Sequence, residues 1–323
     1  MTGFEIGRRA FVAGLASSAV AARAVSRASA AFVFAYFRDD KQVGQASGLH
    51  LAVSHDGTRF EAVRNGASVL APQVGDEKIL RDPCLFRGPA PGSPYHLVWT
   101  TGWRGTTLGH ATSHDLVNWS AQQAVPVMQA FPGTLNVWAP EGIWHPGLKA
   151  FVLFWSSTVP GMFSEALGTS KGGLNNRIFY TVTRDFRSFA PTRVLFDPGF
   201  TVIDATFVTG GDGRLHLIVK DERLHPLKKN IRIASAASPT GPFGPLSEPV
   251  TDHWTEGPTA IWLGDRYRLY FDAYRAKRYG AIDSTDLKHW TPVDELAMPV
   301  GARHGTVLPI PPALAARLGA PLS

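Results

Sequence analysis

The sequence predicts an all-β fold: a five-bladed β-propeller closed by pairing N- and C-terminal strands. Three observations predict it. A turn pattern recurs five times along the chain, short apolar runs of strand length precede the copies, and helical periodicity is nearly absent. The 32 glycines and 24 prolines in 323 residues suit a chain with many turns.

The turn pattern is a small residue, an Asp two positions on and an aromatic six positions after the start. It reads Ser54-His55-Asp56 to Phe60, Ser113-His114-Asp115 to Trp119, Thr183-Arg184-Asp185 to Phe189 and Ser284-Thr285-Asp286 to Trp290. A fourth, weaker copy, Ser238 to Phe243, is one residue shorter and lacks the Asp. Each copy reads as a hairpin in which the Asp bonds nearby backbone N–H groups and the aromatic opens the next strand. These aspartates are therefore structural. The runs between copies, such as Tyr95–Trp99, Phe151–Trp155, Leu215–Val219 and Tyr267–Phe271, are rich in aromatic and β-branched residues. About four strands per unit describes a propeller blade. The first unit has no opening strand of its own, and Thr306–Ile310 is expected to supply it. One short helix is expected, over Pro312 to Leu318.

Ahead of this fold lies a different kind of segment. Arg8-Arg9 precedes an apolar stretch, Ala10 to Ala22, that is too short to span a bilayer, and small-residue cleavage patterns follow. Residues 1–30 are read as a twin-arginine-type signal peptide and 31–323 as one catalytic propeller, which places the protein in the periplasm or outside the cell. No membrane contact is expected after removal of the leader. Setting the leader aside lowers the net charge from +6 to about +3, with no later basic run, so no nucleic-acid partner is expected on charge grounds. The single cysteine, Cys84, excludes an intramolecular disulfide and a thiolate metal cluster.

In a propeller the innermost strand of each blade lines the central channel, and its opening residues face the mouth. The openings read Arg81-Asp82-Pro83, Trp138-Ala139-Pro140-Glu141, Val202-Ile203-Asp204-Ala205, Glu256-Gly257-Pro258 and Arg303-His304-Gly305. Three carboxylates around one axis should raise each other's pKa, and burying them unpaired is costly. Glycoside hydrolysis needs such a set: a protonated acid for the leaving oxygen and an ionised carboxylate for water.

In this order and at blade spacing, the motifs Asp-Pro, Trp-Ala-Pro, Ile-Asp, Glu-Gly-Pro and His-Gly resemble the five-bladed family 43 glycoside hydrolases, from Asp82 to Pro309. The resemblance implies inverting cleavage of an arabinofuranoside or xyloside in a polysaccharide or oligosaccharide. It implies Asp82 as general base, Asp204 as the carboxylate tuning the acid, and Glu256 as general acid, protonated near neutral pH. It also implies Trp138 at the sugar site, and His304 beside a calcium or other cation in the channel through water, or touching substrate. No cofactor is required. Arg81-Asp82-Pro83 also resembles the motif of related retaining fructan hydrolases, whose nucleophile and acid motifs are missing here.

Three further residues are read as carbohydrate contacts. Trp103 is an aromatic loop residue beside Arg104, Arg275 follows a strand of the last blade, and Glu141 faces the channel, with pairing to Arg303 as its structural alternative. Two other functions stay open: a non-catalytic carbohydrate-binding propeller, and a five-bladed glycosidase acting on fructofuranosides or anhydrogalactosides.

Overall fold

A computed structural model describes residues 31–38 and 48–319; the leader expected over residues 1–30 lies outside the described residues. The chain opens with β1 (Ala31–Arg38), β2 (His50–Ser54) and β3 (Glu61–Ala62). The second blade is β4 (Arg81–Arg87), β5 (Tyr95–Thr100), β6 (Thr107–Ser113) and β7 (Gln123–Pro126). The third is β8 (Trp138–His145), β9 (Ala150–Ser157), β10 (Arg177–Thr183) and β11 (Arg193–Phe196). The fourth has β12 (Val202–Thr209), β13 (Leu215–Asp221) and β14 (Asn230–Ala236), and the fifth has β15 (Glu256–Trp262), β16 (Tyr267–Ala273), β17 (Arg278–Ser284) and β18 (Thr291–Pro292). Finally β19 (Ala302–Ile310) returns to pair antiparallel with β1, from Ala31 opposite Ile310 to Arg38 opposite Ala302. The first blade therefore has the order β19-β1-β2-β3, and the first and last strands of the described residues close the ring in one sheet, as the sequence predicts. A short helix, α1 (Pro312–Gly319), follows and buries Leu314, Ala315 and Leu318.

The fourth blade departs from the expected four strands. Its fourth segment holds Pro239, Pro242, Pro245 and Pro249, and proline cannot donate to a ladder. Only separate bonds join it to β14, such as Gly244 N–H to Ser235 O and Ser247 N–H to Ile233 O.

The recurrent aspartates are turn residues. Asp56, Asp115, Asp185 and Asp286 each accept N–H bonds from residues two and three positions on, at 2.7–2.9 Å. The residue after each Asp, Gly57, Leu116, Phe186 or Leu287, has a positive φ.

Apolar burial lies between blades. One cluster joins Val33 and Leu51 of the first blade to Leu85, Leu97 and Trp99 of the second. Others join Phe86 to Leu153 and Trp155, Phe154 to Val202 and Leu217, Ile218 and Ile231 to Leu269, and Phe34 to Tyr270. Five clusters in five crevices hold the ring, so no blade buries its faces alone.

Candidate active site

Four inner strands carry a β-bulge at the same place. Pairing skips between Arg81 and Cys84 in β4, Trp138 and Glu141 in β8, Ile203 and Thr206 in β12, and Glu256 and Thr259 in β15. In β19 the extra residue is His304, between Arg303 and Gly305. The bulged residues Asp82, Ala139, Asp204 and Gly257 have φ of 49°, 46°, 53° and 57°. For a residue with a Cβ this conformation costs about 1–2 kcal/mol, less for Asp. Bulges re-aim side chains, and here every opening contributes to the lining of the mouth: Asp82, Trp138, Asp204, Glu256 and His304. In three blades the next residue is proline, whose missing N–H is no loss where the ladder is already broken. The motifs read from sequence as strand openings are thus bulges. Asp82 and Asp204 sit on the bulge, whereas Glu256 stands one residue before it.

The mouth is a cavity of about 620 Å³, lined by Asp82, Asp204, Glu256 and His304 together with Trp103, Trp138 and Arg275. Seven of the eight residues expected from sequence therefore share one pocket. Glu141 does not. It is buried, accepts the Thr206 hydroxyl at 3.0 Å and lines a second cavity with Cys84, Trp144 and Trp262, farther along the inner strands. Two residues past the bulge its side chain is aimed away from the mouth, so it is neither a sugar contact there nor the partner of Arg303. Arg303 instead pairs with Asp272 at 2.6 Å and approaches Glu256 at 3.6 Å.

The three carboxylates have unlike surroundings. Burial acts to raise the pKa of Asp82, but the His304 hydrogen bond and charge, then Arg81 and the Thr100 hydroxyl, outweigh it and hold it at about 2. His304 Nδ1 lies 3.4 Å from Asp82 and the Thr100 hydroxyl donates to it at 2.8 Å. Burial pushes Asp204 up to about 6, against His304 and Lys220, with Glu256 and Asp82 adding to the rise. Asp204 accepts the Gly257 N–H at 3.1 Å. For Glu256 burial again acts upward, but the Lys220 ammonium, with His304 and Arg303, draws its pKa below the ordinary value. Lys220, almost wholly buried, donates to Glu256 at 2.8 Å and lies equally close to Glu222, which also pairs with Lys229. The cation beside Glu256 thus favours its ionised form in the free protein, against the expected protonated acid, while Asp204 is the carboxyl of the three whose pKa is pushed upward among the mouth residues.

A channel cation beside His304 also meets an obstacle. Burial lowers the pKa of His304, but Asp82, Asp204 and Glu141 raise it to about 9, so the ring is itself a cation near neutral pH. Among the described residues no group of three or more His, Cys, Asp or Glu side chains converges on a metal position.

Sequence reading missed Lys220, Glu222, Lys229, Trp254 and Tyr274, all of which line the pocket. A signal existed for the first: Lys220 ends the apolar run Leu215–Val219, and β13 runs antiparallel to β12, so its last residues reach the mouth.

Comparison with known proteins fits this geometry. Residues 28–313 match the family-43-related model described as "Probable glycosyl hydrolase domain". The chain belongs to that family. It is 27% identical over 192 residues to the α-L-arabinofuranosidase of Bifidobacterium longum subsp. longum, covering 53% of this chain and 18% of that protein. The chain thus spans less than a fifth of that relative. Among solved structures it resembles a thermostable family-43 glycoside hydrolase, with TM-score 0.55, 17% identity and coverage of 70% of this chain and 78% of that one. It also resembles an exo-β-1,3-galactanase from Clostridium thermocellum (TM-score 0.51, 14% identity, 73% and 51% covered) and an α-L-arabinofuranosidase from Lactobacillus brevis (0.50, 16%, 67% and 72%). At these identities the structures share the fold, the five-bladed propeller of family 43.

Proposed function

We propose that this glycoside hydrolase cleaves a pentoside, an arabinofuranoside or xyloside at a glycan, with inversion of the anomeric centre. The observation that carries the reading is the meeting of Asp82, Asp204 and Glu256 in one pocket, with the pKa of Asp82 drawn down and that of Asp204 pushed up. Asp82, ionised above about pH 2, is the base that takes a proton from water. Glu256 is the acid for the leaving oxygen. Asp204, with its pKa pushed up to about 6, tunes the acid and below that pH holds a proton that passes to Glu256. Lys220 has a second carboxylate, Glu222, to rest against while Glu256 is protonated. The exposed ring of Trp103, set edge-on to Trp138 at 6.0 Å, supplies an apolar wall for a sugar face. The arabinofuranosidase relative supports the choice of sugar, and the leader-like N-terminus supports export to the periplasm or beyond.

The test is hydrolysis of aryl α-L-arabinofuranosides, β-D-xylosides, β-D-galactosides and β-fructofuranosides by wild type and by Glu256→Gln. One pentoside is expected to be cleaved. The variant should lose about 10²–10⁴-fold on a poor leaving group and much less on dinitrophenolate, which needs no proton. Equal losses on both leaving groups would remove Glu256 from the acid role, and cleavage of the galactoside or fructofuranoside alone would overturn the pentoside assignment.

A further inference from the structure

The cations of the pocket fall into two kinds. Lys220 and Lys229 pair with Glu256 and Glu222, and His304 faces Asp82. Arg81 and Arg275 lie on aromatic rings instead. The Arg275 guanidinium carbon is 3.2 Å from the centre of the Trp254 ring. That of Arg81 is 4.4 Å from the Trp103 ring and 4.3 Å from the Phe37 ring. Among the described residues neither forms an ion pair with a carboxylate side chain. Both line the cavity that holds the three carboxylates.

A guanidinium laid on an indole keeps its full charge and directs its N–H donors outward in its own plane. That planar fork matches a carboxylate, to which it bonds twice. The two stacked arginines stand on either side of the first blade, Arg81 at the opening of β4 and Arg275 in the β16–β17 hairpin. Arg81 adds to the field that keeps Asp82 ionised, but neither guanidinium is bonded by a carboxylate of the site. Asp82 and Glu256 already face His304 and Lys220, and Asp204 leans towards its neutral form. A guanidinium can donate to a sugar hydroxyl through single bonds, but the paired, charge-assisted bond that its fork makes is met by a carboxylate.

We propose that the pocket takes an acidic glycan, with Arg275 on Trp254 and Arg81 on Trp103 binding uronate carboxylates on residues beside the one released. This rests on the glycosidase reading above and names the class of its substrate.

The test is calorimetric titration of Glu256→Gln protein with glucuronoarabinoxylan and rhamnogalacturonan oligosaccharides and with the same oligosaccharides after reduction of their carboxyl groups. At least one acidic form is expected to bind about tenfold or more tightly than its reduced form at low salt, the value of a charge-assisted bond. Arg275→Gln and Arg81→Gln, each with its fold checked by thermal melting, should bring the ratio towards one, as should 0.5 M salt. Equal affinity for acidic and reduced forms, no binding of either acidic form, or a ratio unchanged in both arginine variants overturns the proposal. A sulfated neutral oligosaccharide that binds as well as the uronate form overturns the choice of carboxylate. Hydrolysis of neutral aryl pentosides by wild type is measured alongside. Cleavage with a ratio of one removes only the acidic-glycan proposal, and a high ratio without cleavage removes only the glycosidase reading.

Discussion

Replacing Lys220 by Met removes the ammonium 2.8 Å from Glu256 while keeping most of the buried stem volume. Two unit charges about 4 Å apart at an effective dielectric of about 20 interact by about 4 kcal/mol. At about 1.4 kcal/mol per unit that is on the order of 3 pKa units. Arg303 remains 3.6 Å from Glu256, so a rise of about 1–3 units is expected. The sign follows from the charge removed: without Lys220 the ionised carboxylate loses support and keeps its proton to higher pH. The assay is kcat/KM against pH on an aryl pentoside. In wild type Asp82, the proposed base, is ionised above about pH 2, so the rising limb should lie below the usual range. The falling limb should come near pH 6, where the proton held by Asp204 is lost. In Lys220→Met the falling limb should move up by at least about one unit. A limb that stays or moves down would refute the account of how Glu256 is held.

Two further perturbations test the framework of the site. In Gly257→Ala the new methyl would stand 2.5 Å from His304 Cγ on a backbone with φ of +57°, so thermal melting should show a loss beyond the about 1–2 kcal/mol of conformational strain. An unchanged melt would show that the bulge and His304 are not packed as described. For the His304–Asp82 pair, the His304 pKa is raised to about 9. Its contribution to stability is full below about pH 6.5 and is lost as pH rises through about 9. Asp82 contributes above about pH 3.9 and loses that contribution as pH falls through about 2. Urea unfolding at pH 7 and pH 10 should show this alkaline loss in wild type and a smaller one in Asp82→Asn.

The fold was legible because propeller blades are local. Each hairpin carries its own turn chemistry, and Asp56, Asp115, Asp185 and Asp286 mark four of the five units without any long-range information. Closure by β19 was legible from a missing strand at one end and a surplus strand at the other. The bulges were less so: Asp-Pro and Gly-Pro look like turns to a local reading, and only pairing with β5 and β16 shows the broken ladder. The state of Glu256 was not legible at all. Its cation, Lys220, comes from the neighbouring blade 36 residues earlier, and no spacing rule links them. Glu141 failed for a geometric reason: past a bulge, the direction of a side chain cannot be counted from the motif.

The most direct test of the central claim is proton NMR of the anomeric signals during the first minutes of hydrolysis of an aryl pentoside by the wild-type chain. The account predicts that the sugar first appears as the anomer opposite to that of the substrate, because Asp82 directs water to the face away from the leaving group. First release of the same anomer would contradict it by making a carboxylate the nucleophile.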